Sequence, residues 1–194
     1  MEKYFKIFVK ELNTGINQIP LKEIDKFIKI LQLVYERKGR IYLIGNGGSS
    51  AIASHFANDL NKTILGSGPE LKRERFQAIC LSDNIPLLTA WANDYGYENI
   101  FSEQLKNFIQ KEDVLIIISS SGNSPNIIKA IKIAKDFNVP VIGLLGFDGG
   151  KALSLVDAKV HVSSHKYEIV ESAHSAIMHF VIIYFKDIFL HGIE

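Results

Sequence analysis

The apolar positions of the chain fall into short continuous runs that alternate with stretches of helical spacing. Runs of strand length predict β-strands at 40–44, 76–81, 114–118, 141–145 and 159–162. Helical periodicity predicts helices at 2–12 and 21–37, and then at 49–61, 85–92, 98–108, 126–137, 150–155 and 167–190. Most of the strands are apolar at successive residues, which is typical of strands buried on both faces. The alternation therefore predicts a parallel sheet between layers of helices.

Two of the predicted strands run directly into turns rich in glycine and hydroxyl groups. The first strand leads into Gly45-Asn-Gly-Gly-Ser49, and the third leads into Ser119-Ser-Ser-Gly-Asn-Ser124. Such a turn at a helix N-terminus exposes unpaired backbone N–H groups at the positive end of the helix dipole, where anions bind. We expect both turns at the edge formed by the C-terminal ends of the strands. They favour a phosphorylated, hydroxyl-rich ligand, although loops with serine N-caps have the same composition.

Composition and charge exclude several classes of function. The chain has 194 residues, 47% of them hydrophobic, which predicts one globular domain spanning 1–194. Its net charge of +1 provides no basis for binding nucleic acid or an acidic membrane surface. The apolar stretches are shorter than the ~20 residues of a membrane helix, and the N-terminus lacks the core of a signal peptide. We therefore expect a cytoplasmic protein. The P-loop motif and the third glycine of the dinucleotide fingerprint are missing, which disfavours nucleotide binding.

A few ionisable side chains are candidates for chemistry. His55 and Asp59 lie four residues apart on a predicted helix and so share one of its faces. The pair could ligate a metal, act as an acid and a base, or form an ordinary surface interaction. Glu171, His174 and His179 lie among apolar residues of the last predicted helix, where a buried ionisable group is costly without a partner. They belong either to a site or to a helix–helix interface with water at its edge. The rise from Glu171 to His179 is roughly 12 Å, so these two could hold one ion only from its opposite sides.

Several motifs occur in an order known from one family. They are Gly45-Asn-Gly-Gly-Ser49, His55-Phe-Ala-Asn-Asp-Leu60, Ala92-Asn-Asp-Tyr-Gly96, Ser119-Ser-Ser-Gly-Asn-Ser124, Gly146-Phe-Asp-Gly-Gly150, Glu171-Ser-Ala-His174 and His179. In this order they resemble the phosphoheptose isomerases, the sedoheptulose 7-phosphate isomerases of the sugar isomerase (SIS) domain family. The resemblance covers about 30–190.

The resemblance implies a fold, an assembly and an activity. The fold is α/β, a three-layer α/β/α sandwich with a five-stranded parallel sheet, here preceded by N-terminal helices at 1–38 that we expect to contribute to oligomer packing. The assembly is a homotetramer with active sites at subunit interfaces. The enzyme interconverts an aldose and a ketose phosphate by enediol-type proton transfer, most directly sedoheptulose 7-phosphate and D-glycero-D-manno-heptose 7-phosphate. This reaction is an early step toward the heptose units of bacterial surface polysaccharides.

The same resemblance assigns roles to individual residues. The catalytic residues are Asp59, Glu171 and His179. The substrate-binding residues are Asn46, Gly47, Gly48, Ser49, Asn93, Asp94, Ser119, Ser120, Ser121, Ser124 and Glu171. Some members bind zinc, one ion per subunit. The residues of this chain at the corresponding ligand positions are His55, Asp59, Glu171 and His179.

Two positions depart from the family pattern. Asp59 lies where members usually have Glu, and Glu171 lies where they usually have Gln. Because Asp is one methylene shorter, a base at residue 59 is withdrawn by about 1 Å, and errors of that size can cost ~100-fold in rate. Either Asp59 or Glu171 is then the base. The departures leave open an isomerase of another phosphosugar. SIS-domain relatives also include non-catalytic proteins that bind a replication initiator, but these lack a carboxylate and a histidine that this chain keeps at Asp59 and His179.

Overall fold

The computed structural model describes residues 1–65 and 74–191. The strands are β1 (Arg40–Gly45), β2 (Gln77–Cys80), β3 (Val114–Ser119), β4 (Val141–Leu145) and β5 (Ala158–His161). The α-helices are α1 (Glu2–Asn17), α2 (Leu21–Glu36), α3 (Gly48–Asn61), α4 (Ile85–Tyr95), α5 (Ser102–Phe108), α6 (Pro125–Asp136) and α7 (Tyr167–His191). Short 3-10 helices cover Thr63–Leu65, Tyr97–Asn99 and Lys151–Ser154.

The five strands form one parallel sheet in the order β2-β1-β3-β4-β5. β3 and β4 are buried along their whole length, as their continuous apolar sequences predict. Side chains of α2, α3 and α7 pack on one face of the sheet, and those of α5 and α6 pack on the other. The predicted three-layer α/β/α sandwich, with helices before the first strand, is therefore confirmed. β2 is an edge strand in which buried and exposed residues alternate.

Several predicted helices differ from the structure in extent or type. The first extends to Asn17, beyond the predicted end at 12, and packs Gly15 against Val162, where a Cβ atom would come within 3.1 Å of the Val162 side chain. The predicted helix at 98–108 is divided into the 3-10 helix Tyr97–Asn99 and α5. The segment predicted as a helix at 150–155 is the 3-10 helix Lys151–Ser154. Among the helices of residues 1–65 and 74–191, none combines the length and the hydropathy required to cross a membrane.

Candidate active site

The two glycine- and serine-rich turns lie side by side at one edge of the sheet. β1 pairs with β3, and Gly45 at the end of β1 is opposite Ile118 near the end of β3. Between the turns is a cavity of about 280 Å³. Its lining residues are Asn46, Gly47, Gly48, Ser49, Ile118, Ser119, Ser120, Ser121, Ser124, Tyr167 and Glu171. The N-termini of α3 and α6 both begin at this cavity, so two helix dipoles favour an anion there.

The hydroxyl groups of the second turn are only partly used by the protein itself. The Ser119 Oγ accepts a hydrogen bond of 3.1 Å from the Gly122 N–H. Ser124 occupies the N-cap of α6, but within the described part of the chain its side chain makes no capping hydrogen bond. Ser120 is 5% exposed, and its Oγ has no hydrogen-bond partner among the described residues. A buried hydroxyl without a partner is unfavourable, so this turn is better suited to a ligand than to helix capping alone.

A carboxylate forms part of the cavity wall. Gly48 is the first residue of α3, and a Cβ atom at this position would lie 2.6 Å from each of the two carboxylate oxygens of Glu171. The carboxylate from α7 therefore packs directly on the backbone at the start of α3, which only glycine permits at this distance. This contact places an ionisable group next to the two glycine- and serine-rich turns.

His55, Asp59 and His179 form a cluster between α3 and α7. The Asp59 Oδ2 lies 3.3 Å from the His55 Nε2 and 3.8 Å from the His179 Nε2. The Asp59 Oδ1 accepts hydrogen bonds from the Thr63 hydroxyl at 2.8 Å and from the Asn58 amide at 3.3 Å. The ligand atoms of the cluster lie within 4.8 Å of one another, so the three side chains can hold a metal ion. Two imidazole nitrogens and a carboxylate oxygen are ligands that transition metals accept.

The cavity and the cluster lie along the same pair of helices. Gly48 and Glu171 meet near the N-terminal ends of α3 and α7, and Asp59 and His179 meet further along both. The two helices therefore run in the same direction at their contact. A ligand held in the cavity can extend along this contact toward the cluster.

Comparison with known proteins identifies the family. Residues 4–146 match the family model described as SIS domain. The phosphoheptose isomerase of Helicobacter pylori strain P12 is 41% identical over 152 residues, which are 78% of this chain and 77% of that protein. The chain belongs to the phosphoheptose isomerases of the SIS domain family.

Two further phosphoheptose isomerases extend the similarity. That of Syntrophotalea carbinolica is 33% identical over 175 residues, which are 89% of this chain and 87% of that protein. The solved structure of the phosphoheptose isomerase from Neisseria gonorrhoeae has a TM-score of 0.84 and 28% sequence identity, and the match covers 95% of both chains. The structural similarity therefore includes α7, which lies beyond the residues matched by the family model.

The structure brings many of the residues assigned by the resemblance to phosphoheptose isomerases into two groups. Those of the two turns, with Glu171, line the cavity. His55, Asp59 and His179 form the cluster. Glu171, the fourth predicted metal ligand, is not part of this cluster among the described residues. Asn93 and Asp94 are exposed at the end of α4, where the Asn93 amide donates to the Asp94 carboxylate at 2.8 Å. Their contact with substrate stays a prediction.

Three residues near the cavity were missed by the sequence analysis. Tyr167 lines the cavity from the start of α7. Asn126 is buried in the first turn of α6 and exchanges hydrogen bonds with Asn46. Tyr97 donates a hydrogen bond of 3.0 Å to the Asn46 Oδ1. The position of Asn126 directly after the serine-rich turn was a usable signal, whereas nothing in the sequence marks Tyr97.

His174 fixes the start of α7 against the sheet. Its side chain is fully buried, and its Nε2 lies 3.1 Å from the carbonyl oxygen of Leu145. Because a carbonyl only accepts, Nε2 carries the hydrogen, and the Nδ1 has no partner within the described residues. Burial lowers the pKa of His174 to about 4, so the imidazole is neutral near pH 7. Neither sequence-based alternative describes His174, because it packs α7 against the sheet and lies neither in the cavity nor at a wet helix–helix interface.

Proposed function

We propose that this protein is an aldose–ketose isomerase that converts sedoheptulose 7-phosphate into D-glycero-D-manno-heptose 7-phosphate. The observation that carries the proposal is the contact of the Glu171 carboxylate with Gly48, beside two anion-binding turns. A carboxylate at the edge of a phosphate site can act as a general base on the sugar that extends from it. The similarity to proteins named phosphoheptose isomerase supports the same substrate.

The phosphate group binds at the serine-rich turn. The Ser120 and Ser124 hydroxyls supply donors, and the positive ends of the α6 and α3 dipoles favour the phosphate charge. Glycine has no side chain and serine has a small one, so both leave room for the ligand to approach the backbone. The sugar then extends along the contact between α3 and α7.

Glu171 is the base in this proposal. The oxygens of Asp59 are already engaged by Thr63, Asn58 and the two histidines, so Asp59 orients the imidazoles and does not reach the sugar. Glu171 takes a proton from C1 of the ketose while the oxygen at C2 gains one from His179. The resulting enediol is protonated at C2 and loses the proton of its C1 hydroxyl, which yields the aldose.

Zinc is the ion that we assign to the cluster. Imidazole nitrogen and carboxylate oxygen bind zinc at ~2.0–2.2 Å. The ligand atoms lie within 4.8 Å of one another, so small side-chain movements bring them around such an ion. When bound, zinc would polarise the C2 carbonyl in place of the proton that His179 donates without the metal. His55, Asp59 and His179 hold it, while Glu171, also predicted as a ligand from the sequence, is assigned to proton transfer. One ion per subunit is expected.

The assembly that we propose is a homotetramer with active sites at subunit interfaces. α1 and α7 pack on one another and expose large apolar side chains, among them Tyr4 at 78%, Phe5 at 65% and Ile183 at 65%. Apolar surface of this kind is typical of protein–protein interfaces. Light scattering after size-exclusion chromatography is expected to give the mass of four 21.8-kDa chains, and a monomer would contradict the proposal.

The reaction is tested directly by incubating the protein with sedoheptulose 7-phosphate and following the product by NMR. Parallel samples contain zinc or a chelator, and a variant with Glu171→Gln serves as the control for contaminating isomerases. We expect formation of the aldose by the unmodified protein. Absence of turnover at high protein concentration, with and without zinc, would overturn this substrate assignment. Turnover of a different ketose phosphate alone would move the assignment to another phosphosugar.

A further inference from the structure

A chain of hydrogen bonds connects the cavity to a surface tyrosine. The Asn46 amide Nδ2 donates to the Asn126 Oδ1 at 3.0 Å, and the Asn126 Nδ2 donates back to the Asn46 Oδ1 at 2.9 Å. The Tyr97 hydroxyl lies 3.0 Å from the same Asn46 Oδ1. Asn126 is 1% exposed, while Asn46 lines the cavity. The three side chains come from the turn after β1, the segment after α4 and the first turn of α6.

The backbone fixes the orientation of every group in this chain. The Ile127 N–H donates to the Asn126 side chain at 2.9 Å, so the atom that it reaches must be the carbonyl oxygen. The other end of the Asn126 amide is then the donor, and the atom of Asn46 that receives it is an oxygen. Since this oxygen accepts, the Tyr97 hydroxyl must donate to it.

The orientation determines what Asn46 can offer to a ligand. An amide oxygen accepts two hydrogen bonds and an amide nitrogen donates two. Both acceptor positions of the Asn46 oxygen are filled, by Asn126 and Tyr97, and one of its two N–H groups is used by Asn126. Among the described residues, one N–H of Asn46 is left for the cavity. Asn46 therefore presents a donor and no acceptor.

We infer that Tyr97 and Asn126 are positioning residues that hold Asn46 as a hydrogen-bond donor to an oxygen of the substrate that carries no proton. Such oxygens in a phosphosugar are those of the phosphate and of the open-chain carbonyl. This inference rests on the proposed function for the nature of the ligand. A substrate hydroxyl group also needs an acceptor for its own proton, which Asn46 does not offer. An oxygen without a proton therefore fits this donor better than a hydroxyl group does.

The test uses small changes in the full protein with sedoheptulose 7-phosphate as substrate and inorganic phosphate as inhibitor. Tyr97→Phe removes one donor to Asn46, and we expect kcat/KM to fall about threefold to tenfold, the usual effect of one hydrogen bond. Asn126→Asp keeps the shape but replaces the donor with an acceptor, and we expect a loss of about tenfold or more. An unchanged inhibition constant for phosphate would assign the Asn46 N–H to the carbonyl oxygen. An inhibition constant for phosphate that rises as kcat/KM falls would assign the Asn46 N–H to the phosphate.

A double-mutant cycle separates positioning from a structural role. If Tyr97 acts through Asn46, Tyr97→Phe has no further effect once Asn46→Ala is present. The matched control for the lost hydroxyl is Tyr95→Phe, because the Tyr95 hydroxyl makes no hydrogen bond with any described residue. Asn138→Asp, at an exposed position after α6, controls for the added charge. Both controls are expected to retain kcat/KM, and thermal unfolding checks that each variant is folded.

Two results would overturn the inference: wild-type kinetics and phosphate inhibition in Tyr97→Phe, or a Tyr97→Phe effect that adds fully to that of Asn46→Ala. Failure of the proposed function has a different signature, because the unmodified protein then binds sedoheptulose 7-phosphate without converting it. In that case calorimetric binding of the sugar phosphate and of inorganic phosphate replaces kcat/KM in the same cycle.

Discussion

The carboxylate of Glu171 lies against the backbone of Gly48, so close that a methyl group at residue 48 would come within 2.6 Å of both carboxylate oxygens. The first residue of α3 therefore sets the position of a side chain that belongs to α7. The proposed reaction depends on this contact, since it holds the base beside the phosphate site.

Gly48→Ala is expected to displace the Glu171 carboxylate while leaving the fold intact. Gly48 is not among the glycines with positive φ, so the start of α3 accepts alanine. A base moved by about 1 Å can lose ~100-fold in rate, and we expect kcat to fall by roughly tenfold to ~100-fold. Steady-state kinetics and thermal unfolding are measured beside Ser50→Ala in the same helix. Unchanged kcat in Gly48→Ala would show that this contact is not needed for turnover.

Glu171→Gln tests which carboxylate is the base. We expect kcat to fall by ~100-fold or more, because general bases contribute about 10²–10⁴ in rate. Adding Asp59→Glu to this variant gives both positions the residues that are usual in the family by resemblance, and we expect part of the activity to return. We compare kcat of Glu171→Gln, of Asp59→Glu and of the double variant with that of the unmodified protein. Retained kcat in Glu171→Gln with complete loss in Asp59→Asn would instead make Asp59 the base.

Zinc is expected to stabilise the protein through the histidine cluster. A ligand present at 100 times its Kd adds about 2.7 kcal/mol to the free energy of unfolding, which raises the Tm of a domain of this size by roughly 5–10 °C. Chelator-treated protein is titrated with zinc and followed by thermal unfolding and elemental analysis. His55→Ala is expected to lose this response, whereas His165→Ala, an exposed histidine outside the cluster, retains it. Equal responses of the two variants would place the ion elsewhere.

His174 is expected to make the stability fall in acid. Its pKa is about 4 in the fold and 6.5 in the unfolded chain, so the folded protein favours the neutral imidazole. The free energy of unfolding is therefore highest above about pH 6.5 and decreases as the pH falls toward about 4, by up to about 3 kcal/mol. Urea unfolding at several pH values measures this slope.

The matched variant for this titration is His174→Gln, which keeps a donor for the Leu145 carbonyl but does not titrate. We expect a flatter pH dependence of its free energy of unfolding than in the unmodified protein. His165→Gln, at an exposed position, should leave the slope unchanged. The prediction is wrong if His174→Gln and the unmodified protein lose stability equally between about pH 7 and pH 4.

The sequence was sufficient for the elements that depend on local pattern. The apolar run before Gly45 and the small residues after it predicted both the strand and the helix that meet at the cavity. The adjacency of His55 and Asp59 followed from their spacing on one helix. The resemblance to a known family supplied the partner His179, which periodicity alone could not assign.

The remaining features depend on packing between distant segments. Gly15 lies in a helix and packs against Val162, and no local rule predicts that neighbour. The order of the strands, which brings β1 beside β3, is likewise a property of the whole sheet. Asn126 and Tyr97 acquire their roles only when three separate segments meet at Asn46, so position after the serine-rich turn could mark Asn126 as near the site, but nothing marked Tyr97 or the contact with Asn46.

One continuous helix, Tyr167–His191, carries both Glu171 and His179. Their backbones are separated by eight residues, or roughly 12 Å of a rigid rod, and this separation cannot adjust to the ligand. In the proposed reaction, this fixed separation limits the length of sugar that fits. We expect a sugar with fewer carbons, anchored by its phosphate at the same turn, to place its carbonyl short of the His179 imidazole.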